Sequence, residues 1–314
     1  MERDISLVVP CYNEAGSVRA FYERCKEVFC EKNFEVLFIN DGSCDESEKE
    51  LEKLSWEYEN ITVINFSRNF GKEAAMYAGL HYVSGGLISI IDADLQQDPE
   101  VVLQMMGILD KKQNIDIVAA YQEKRKESKV LSWIKGRFYK FINRLSEVEF
   151  RENASDFRTF RKNVKNALLQ MPEYFRFSKG LFAWLGFETE YIPYEAKERF
   201  SGKTKWNLWK LIKYSVEGIV SFSIMPLHIA MIIGLLISAG SLLYGGWIII
   251  KKLIWGIAIP GYATLVVLIL FLGGMQLLVL GIIGEYLAKT YIQGKNRPVY
   301  VIKSIWTPKD KERY

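Results

Sequence analysis

The fold is decided by the stretch Ile90-Ile91-Asp92-Ala93-Asp94-Leu95-Gln96-Gln97-Asp98-Pro99. An apolar run, typical of a buried strand, ends there in two acids that are two residues apart. Residues at this spacing face the same way on a strand, so both acids can converge on one hard cation such as Mg²⁺ or Mn²⁺. Such an ion normally binds through one or two carboxylates and the phosphates of its substrate. The stretch therefore indicates a nucleotide diphosphate, unless the acids only form a turn and a cap before the helix that Pro99 begins.

Apolar runs and helical patterns alternate along the first part of the chain. Strands are predicted at residues 5–10, 34–39, 61–66, 87–91 and 115–120. A helix is predicted from about residue 17 to residue 29, and Ser43 and Glu46 have the spacing of a capping box that opens the next helix. This alternation predicts an α/β fold with a mostly parallel sheet and right-handed crossovers.

Polar loops directly follow four of these strands. They contain Tyr12, Asn13, Glu14, Asp41, Arg68, Lys72, Asp92, Ala93, Asp94 and Gln96. Ligands of a parallel sheet sit outside the carboxyl ends of its strands, where these four loops meet. The sequence therefore predicts one polar crevice at this edge of the sheet.

Two long apolar segments follow in the last third of the chain. Residues 224–250 contain no acidic or basic side chain apart from His228, and residues 253–284 contain none. Each segment exceeds the roughly 20 apolar residues that cross a hydrocarbon layer of about 30 Å as a helix. We therefore predict two transmembrane helices, at about 224–250 and 261–284, that form a hairpin within residues 224–288.

Basic residues flank this hairpin on both sides. They are Lys197, Arg199, Lys203, Lys205, Lys210 and Lys213 before it and Lys289, Lys295, Arg297 and Lys303 after it. The positive-inside rule then places the N-terminal part and a tail at residues 289–314 in the cytoplasm. The chain enters a strand-like run directly after Met1-Glu2-Arg3-Asp4, so we expect no secretory signal. The net charge is only +4, and nucleic acid is not an expected partner.

A basic amphipathic helix is predicted at residues 129–145. One of its faces carries Val130, Ile134, Phe138, Phe141 and Leu145. This pattern suits a helix in a membrane interface, and the alternative is a core helix with a solvated basic face. Residues 201–223 are predicted to form a basic loop and a second interfacial helix. The basic residues from 199 to 205 either hold phosphates or only fix the membrane topology.

Six segments form a combination of motifs, at residues 8–14, 40–43, 68–72, 92–96, 155–158 and 199–205. In this order they resemble the family 2 glycosyltransferases. The similarity is greatest to the polyprenyl-phosphate branch, which includes dolichol-phosphate mannose synthase and the bacterial glucosyltransferases of undecaprenyl phosphate. It covers about residues 5–215, and the two-span carboxyl terminus matches the bacterial members. The resemblance implies a GT-A fold in a domain of residues 1–200, a nucleotide-sugar donor, Mg²⁺ or Mn²⁺, and inversion at the anomeric carbon.

The resemblance also implies a role for single residues. Base and ribose contacts would come from Pro10, Tyr12, Glu14 and Asp41, and the nucleotide-sugar site would also include Asn13, Lys72, Asp92 and Ala93. The metal ligands would be Asp94 and Gln96 together with Asp92. Arg199 and Lys205 would hold the diphosphate and the acceptor phosphate. The catalytic residues would be Asp156, Arg199 and Asp94.

Two positions leave alternatives open. Family members often carry an arginine after the fifth strand, where this chain reads Tyr121-Gln122-Glu123-Lys124-Arg125, so Lys124 or Arg125 would have to replace it. Asp156 precedes Phe157 and Arg158, and its structural alternative is an ion pair with Arg158 or Arg161.

The chemistry favours sugar transfer to a lipid phosphate. Such a phosphate is already anionic near pH 7, so positioning and charge neutralisation must supply most of the rate. We predict inverting, metal-dependent transfer, with UDP-glucose as the first donor, to undecaprenyl or another polyprenyl phosphate at the bacterial inner membrane, for cell-envelope modification. The resemblance implies a homo-tetramer. The alternatives are a processive polysaccharide synthase, whose Gln-x-x-Arg-Trp motif this sequence lacks, and a non-catalytic nucleotide-sugar-binding protein.

Overall fold

The computed structural model describes residues 3–122, 154–197, 223–255 and 261–307. The chain divides into two compact units, of which one contains Met1–Tyr214 and Arg297–Tyr314 and the other Ser215–Asn296. Several predicted features lie outside the described residues. They are the interfacial helix at 129–145, almost all of the segment 201–223, and the residues Lys124, Arg125, Arg199 and Lys205. Their predicted roles therefore stay predictions.

Among the described residues, the first unit is built around a sheet of eight strands. They are β1 (Ile5–Cys11), β2 (Phe34–Asn40), β3 (Ile61–Phe66), β4 (Leu87–Ile90), β5 (Ile117–Gln122), β6 (Ala154–Arg161), β7 (Thr189–Tyr194) and β8 (Ile302–Trp306). Their spatial order is β7-β5-β6-β4-β1-β2-β3-β8. β1 pairs in parallel with β2 and β4, as do β2 with β3 and β5 with β7. The predicted α/β architecture with a mostly parallel sheet is confirmed.

Helices cover both faces of this sheet. They are α1 (Val18–Val28), α2 (Ser47–Glu57), α3 (Lys72–Tyr82), α4 (Pro99–Lys111), α5 (Lys162–Leu169) and α6 (Ser178–Trp184). Val8 of β1 faces α3, where a Cβ added at Gly79 would lie only 2.4 Å from its Cγ1. The next residue, Val9, belongs to the apolar cluster that includes Phe21 of α1 and Met105 of α4. Burial on both faces is what a parallel sheet between two helical layers requires.

Two antiparallel strands that the sequence patterns did not predict complete the sheet. β6 lies between β4 and β5 and runs antiparallel to both. β8 lies at the edge of the sheet and pairs with β3. It belongs to the segment that the sequence analysis treats as a tail, so part of that segment is integral to the first unit. These pairings join residues far apart in sequence, and they have no local pattern that would announce them.

The predicted capping box before α2 is wrong. α2 begins at Ser47, and Glu46 at its N-cap position makes no side-chain cap bond. The hydroxyl of Ser43 instead accepts a hydrogen bond from the Asn13 N–H (3.0 Å), and the hydroxyl of Ser47 accepts one from the Glu14 N–H (2.8 Å). Backbone N–H groups in a partly buried loop need acceptors, so this tertiary contact prevails over the local motif.

The second unit contains a pair of long helices, α7 (Met225–Trp255) and α8 (Tyr262–Gly294). By length and composition, Met225–Lys251 and Thr264–Gly294 are able to cross a membrane. Large apolar side chains lie on their surfaces, and Leu243, for example, is 77% exposed. An apolar surface of this extent is typical of contact with lipid or another apolar partner. The two predicted apolar helices are confirmed, and α8 continues beyond the predicted end at residue 284.

Candidate active site

The pairing of β4 with β6 brings Asp92 and Asp156 together. The two strands are antiparallel, with Ile90 opposite Arg158. Two residues farther along this register, Asp92 and Asp156 face each other just beyond the end of the ladder. Two carboxylates in such a position repel each other unless a cation lies near them. The sheet topology therefore creates an acidic pair that needs a positive charge.

Lys72 supplies this charge from the first turn of α3. Its Nζ lies 2.5 Å from Asp92 Oδ1 and 3.7 Å from Asp156 Oδ2. Burial alone would lower the pKa of Lys72, but the charges of the two carboxylates raise the pKa above its ordinary value. Lys72 therefore stays an ammonium group, the form that can also pair with a phosphate.

Asp156 keeps an ionised carboxylate inside the protein. Burial alone would raise its pKa, but the positive charges of Lys179, Lys72 and Arg158 together hold the pKa below its ordinary value. Its Oδ1 atom is buried and accepts no hydrogen bond from the part of the chain that the structure describes. A charged acceptor in this state is suited to a hydrogen bond from a ligand.

The two arginines that the sequence offered as partners of Asp156 have other contacts. Arg158 Nη2 donates to the carbonyl of Ser155 at 2.9 Å, and Arg161 Nη2 donates to the carbonyl of Leu109 at 2.6 Å. Asp156 forms an ion pair with Lys72, and the positive charge of Arg158 also lowers the pKa of Asp156. The functional role of Asp156 therefore stays a prediction.

The loop after β4 presents Asp94 beside Gln96. Asp94 is 9% exposed, and its Oδ1 accepts a hydrogen bond from the Gln96 N–H at 3.1 Å. Leu95 between them has a φ of 59°, a left-handed conformation that costs free energy for a residue other than glycine. The cap of α4 is formed by Asp98, which accepts a hydrogen bond from the Glu100 N–H. The cap thus uses a different acid from the two in the motif.

The donor set of this loop fits a divalent cation. Asp92, Asp94 and Gln96 carry the oxygen atoms that Mg²⁺ and Mn²⁺ prefer. In the described ranges, no group of three or more His, Cys, Asp or Glu side chains is placed to hold a metal ion. Mg²⁺ commonly takes one or two carboxylates and completes its shell with water and substrate phosphates. The residues present therefore fit an ion that arrives with a phosphorylated ligand.

Gln97 is a site residue that the sequence analysis missed. It is 5% exposed, its Oε1 accepts from the Asp92 N–H at 3.0 Å, and its Nε2 donates to Asp92 Oδ2 at 3.2 Å. The same Nε2 lies 3.5 Å from Ser155 Oγ at the start of β6. Gln97 thus fixes Asp92 and links it to the strand of Asp156. The position of Gln97 next to the acidic motif could have indicated this role. An uncharged amide side chain, however, does not by itself indicate a site residue.

Asp41 holds the loop that precedes Lys72. Its two carboxylate oxygens accept hydrogen bonds from the N–H groups of Phe70 (2.6 Å) and Gly71 (2.9 Å). Burial raises the pKa of Asp41, although these two bonds oppose the shift. The predicted base or ribose contact of Asp41 is therefore accompanied by a second role, which is to place the start of α3.

The loop after β1 lies at the same edge of the sheet. Asn13 has a φ of 56°, and its Oδ1 accepts a hydrogen bond from the Cys44 N–H at 2.8 Å. Glu14 Oε2 accepts from Ser17 Oγ at 2.9 Å, and Tyr12 is 37% exposed. Pro10 lies near the end of β1. The predicted residues that the structure describes thus lie at the carboxyl ends of β1, β2 and β4, at the start of α3 and at the start of β6.

We expect the stability of the fold to depend on pH through the side chain of Glu73. Burial and then the charge of Asp156 raise the pKa of Glu73 to about 7, with Arg176 and the Ser178 hydrogen bonds opposing the shift. Between the ordinary pKa and 7 the folded protein binds more protons than the unfolded chain, so this group destabilises the fold as the pH rises through that window. We expect Glu73→Gln to raise the melting temperature relative to wild type more at pH 8 than at pH 5. Thermal unfolding at both pH values measures this, and an equal offset at both would contradict it.

The comparison with known proteins agrees with this geometry. Residues 6–169 match the family described as Glycosyl transferase family 2. The prophage bactoprenol glucosyl transferase homolog of Escherichia coli K12 is 40% identical over 309 residues, which cover 96% of this chain and 99% of that protein. The bactoprenol glucosyl transferase of Shigella phage SfII is 40% identical over 307 residues, or 95% of this chain and 97% of that protein.

A solved structure shares the fold at much lower identity. The glucosyl-3-phosphoglycerate synthase of Mycobacterium tuberculosis, crystallised with Mn²⁺, UDP and phosphoglyceric acid, superimposes with a TM-score of 0.51 at 17% identity, covering 69% of this chain and 76% of that one. This likeness supports the GT-A type of fold that the resemblance implied. From the family match and the relatives that align over nearly the whole chain, the protein is a glycosyltransferase and belongs to glycosyl transferase family 2.

Proposed function

We propose that this glycosyltransferase moves one sugar from a nucleotide-sugar donor to a polyprenyl phosphate, with UDP-glucose and undecaprenyl phosphate as the first candidates. The observation that carries the proposal is the arrangement of Asp92, Lys72 and Asp156 at the carboxyl edge of the sheet, in a chain that also contains two long apolar helices. Relatives named bactoprenol glucosyl transferases support the acceptor and the sugar.

The donor fits the part of the crevice between β2 and β4. The nucleoside is proposed to contact Pro10, Tyr12, Asn13, Glu14 and Asp41, because its ring and hydroxyls need hydrogen bonds and an aromatic or apolar surface. Lys72, Asp92 and Ala93 are proposed to contact the diphosphate and the sugar. Arg199 and Lys205, which lie outside the described residues, are proposed to hold the two phosphate groups.

Asp92, Asp94 and Gln96 are proposed to hold Mg²⁺ or Mn²⁺. A bound divalent ion would neutralise the negative charge that grows on the departing diphosphate. The UDP complex of the structural relative contains Mn²⁺, which supports the use of such an ion in this fold.

The proposed reaction is a direct displacement at the anomeric carbon. An oxygen of the acceptor phosphate forms the new bond to that carbon while the bond to the diphosphate breaks, and its electron pair leaves with the nucleoside diphosphate. Attack from the opposite side inverts the configuration. Because the phosphate is already anionic, Asp156 has to orient the acceptor and balance charge, and it does not need to remove a proton.

Membrane attachment follows from the proposed acceptor. A long polyprenyl chain stays in the bilayer, so its phosphate is reached only at the headgroup level. We propose that α7 and α8 form a two-span hairpin in the bacterial inner membrane, with the catalytic unit and both termini on the cytoplasmic side. The basic residues at 197–213 and 289–303 support this orientation.

A transfer assay tests the proposal. Purified protein is incubated with undecaprenyl phosphate and single UDP- or GDP-sugars, and the lipid product is analysed by mass spectrometry. We expect the lipid to gain the mass of one hexose with UDP-glucose. A ladder of several sugars would instead indicate a processive synthase, and donor binding without any product would indicate a non-catalytic protein.

The Asp156→Asn variant tests the orienting role. The amide keeps the shape of the side chain but removes the charge that Lys72 and Lys179 now balance. We expect the rate of transfer to fall by about 10²-fold, the effect of a misplaced reactant, while the KM for the donor stays close to that of wild type. Steady-state kinetics measure both values. Full turnover in this variant would remove Asp156 from the mechanism.

A further inference from the structure

A contact between α3 and α6 lies directly beside the acidic pair. Glu73, the residue after Lys72, accepts hydrogen bonds through Oε2 from both the backbone N–H of Ser178 (3.0 Å) and its hydroxyl. Ser178 is 6% exposed and is the first residue of α6. The start of α6 is therefore tied to the start of α3, the same turn that carries Lys72.

The residue that this contact places is Lys179. Burial raises the pKa of Asp156, whereas the positive charge of Lys179 lowers it, as do the charges of Lys72 and Arg158. Phe182 of α6 packs on Phe160 of β6, with ring centroids 5.1 Å apart, so α6 lies against the strand that carries Asp156. Two lysines from two different helices thus flank one carboxylate.

The charges leave this place attractive to an anion. Three positive charges, those of Lys179, Lys72 and Arg158, act on the single carboxylate of Asp156. Glu73 lies beside them, and burial and the charge of Asp156 raise the pKa of its own carboxyl group to about 7. Meanwhile Asp156 Oδ1 is buried and lacks a hydrogen-bond donor among the described residues.

The strand order indicates which of the two substrates would supply this anion. Pro10 lies near the end of β1 and Asp41 follows β2, whereas β6 lies on the other side of β4 in the sheet. Asp156 and α6 therefore lie beyond Asp92, on the side away from the loops proposed to hold the nucleoside. A phosphate bound there would therefore lie on the side of Asp92 away from the proposed nucleoside.

On the basis of the proposed function, we propose that Lys179 binds the phosphate of the acceptor and that Glu73 and Ser178 are positioning residues that hold Lys179 beside Asp156. The lysine supplies a point charge that neutralises the phosphate as it approaches Asp156. The pair of hydrogen bonds from Ser178 to Glu73 reduces the freedom of the helix start, so the charge is already in place when the acceptor arrives.

Kinetics of the full-length protein separate the two substrates. For Lys179→Met we expect the KM for polyprenyl phosphate to rise about tenfold or more, as for a lost hydrogen bond to a charged group, with the KM for the sugar nucleotide unchanged. Lys179→Arg should recover most of the affinity because it keeps the charge. Ser178→Ala, which keeps the backbone bond to Glu73, should shift the same KM in the same direction by a smaller factor.

The matched control is Lys111→Met. Lys111 is an exposed lysine in the last turn of α4, at the end of that helix away from the acidic pair. We expect the Lys111→Met variant to have the same two KM values as wild type. Thermal unfolding of each variant shows whether it folds. If Lys179→Met does not fold, the arginine and alanine variants decide the question through their KM values.

Two results would overturn the inference. One is an unchanged KM for polyprenyl phosphate in Lys179→Met, and the other is an equal rise in both KM values, which a purely structural role would give. Binding of a short-chain polyprenyl phosphate in the presence of UDP, compared with inorganic phosphate, shows whether the lipid headgroup or any free phosphate is recognised. Wild-type protein that transfers no sugar contradicts the proposed function, whereas active wild type with a normal Lys179→Met variant contradicts only this inference.

Discussion

Replacing Asp94 with asparagine should lower the rate of sugar transfer by about 10³-fold, the scale of losing one electrostatic contact to developing charge in an active site. Asp94 is nearly buried in the loop after β4, where its carboxylate is held by the Gln96 N–H. The amide keeps that hydrogen bond but is a much weaker ligand for a divalent ion. Steady-state transfer at increasing concentrations of Mn²⁺ or Mg²⁺ measures the effect, and the variant should need more metal than wild type.

Removal of the metal provides the companion experiment. Wild-type protein in excess EDTA should lose transfer and regain it when Mg²⁺ or Mn²⁺ is restored. Asp110→Asn makes the same chemical change at an exposed position near the end of α4 and should leave the metal requirement unaltered. Undiminished transfer by wild type in EDTA would contradict the metal role proposed for Asp92, Asp94 and Gln96.

Replacing Gly42 with alanine should lower the free energy of unfolding by about 3 kcal/mol. Alanine would be strained in a left-handed backbone conformation, and its Cβ would overpack a tight contact. Gly42 has a φ of +63°, and an added Cβ would lie 2.4 Å from the carbonyl carbon of Arg68 and 2.6 Å from the Asn69 nitrogen. Backbone atoms cannot rotate away as a side chain can. Their displacement would also move Phe70 and the start of α3, so we expect a higher KM for the donor as well.

Thermal or denaturant unfolding of Gly42→Ala measures this loss. The matched control is Gly107→Ala, since Gly107 lies inside α4 and an added Cβ there meets no atom within 4 Å. Alanine is favoured over glycine in a helix interior by up to about 1 kcal/mol, so this control should be stabilised or neutral. A Gly42→Ala variant as stable as wild type would show that the loop of Arg68 and Asn69 yields at little cost.

The two carboxylates of the candidate site show how a sequence motif and a tertiary contact combine. Asp92 belongs to a motif whose spacing is visible in ten consecutive residues. Asp156 is 64 residues away, and only the antiparallel pairing of β4 with β6 sets it opposite Asp92. Lys72 then lies between them because Asp41 holds the loop before α3. Each step after the motif depends on a contact between distant parts of the chain.

The sequence by itself determined the features that depend on local patterns. Runs of apolar residues and helical periodicity reveal the first five strands, the helices between them and the two apolar helices, because burial imposes those periods on neighbouring residues. The acids after β4 and the polar loops after β1 and β2 could also be recognised, because they directly follow those apolar runs in the sequence. The capping box at Ser43 shows the limit of such patterns, since its hydroxyl is used by the Asn13 loop instead.

Only the tertiary structure decided which distant groups meet. It inserted β6 between β4 and β5, added β8 from beyond the second apolar helix, and placed Gln97 and the pair Glu73 and Ser178 around the acids. No local period encodes these contacts, because they result from strand pairing and from the need of buried polar groups for partners across the fold. The sequence thus determined the kind of sheet and its acidic motif. The fold determined which charged groups, such as Lys72 and Asp156, lie beside that motif.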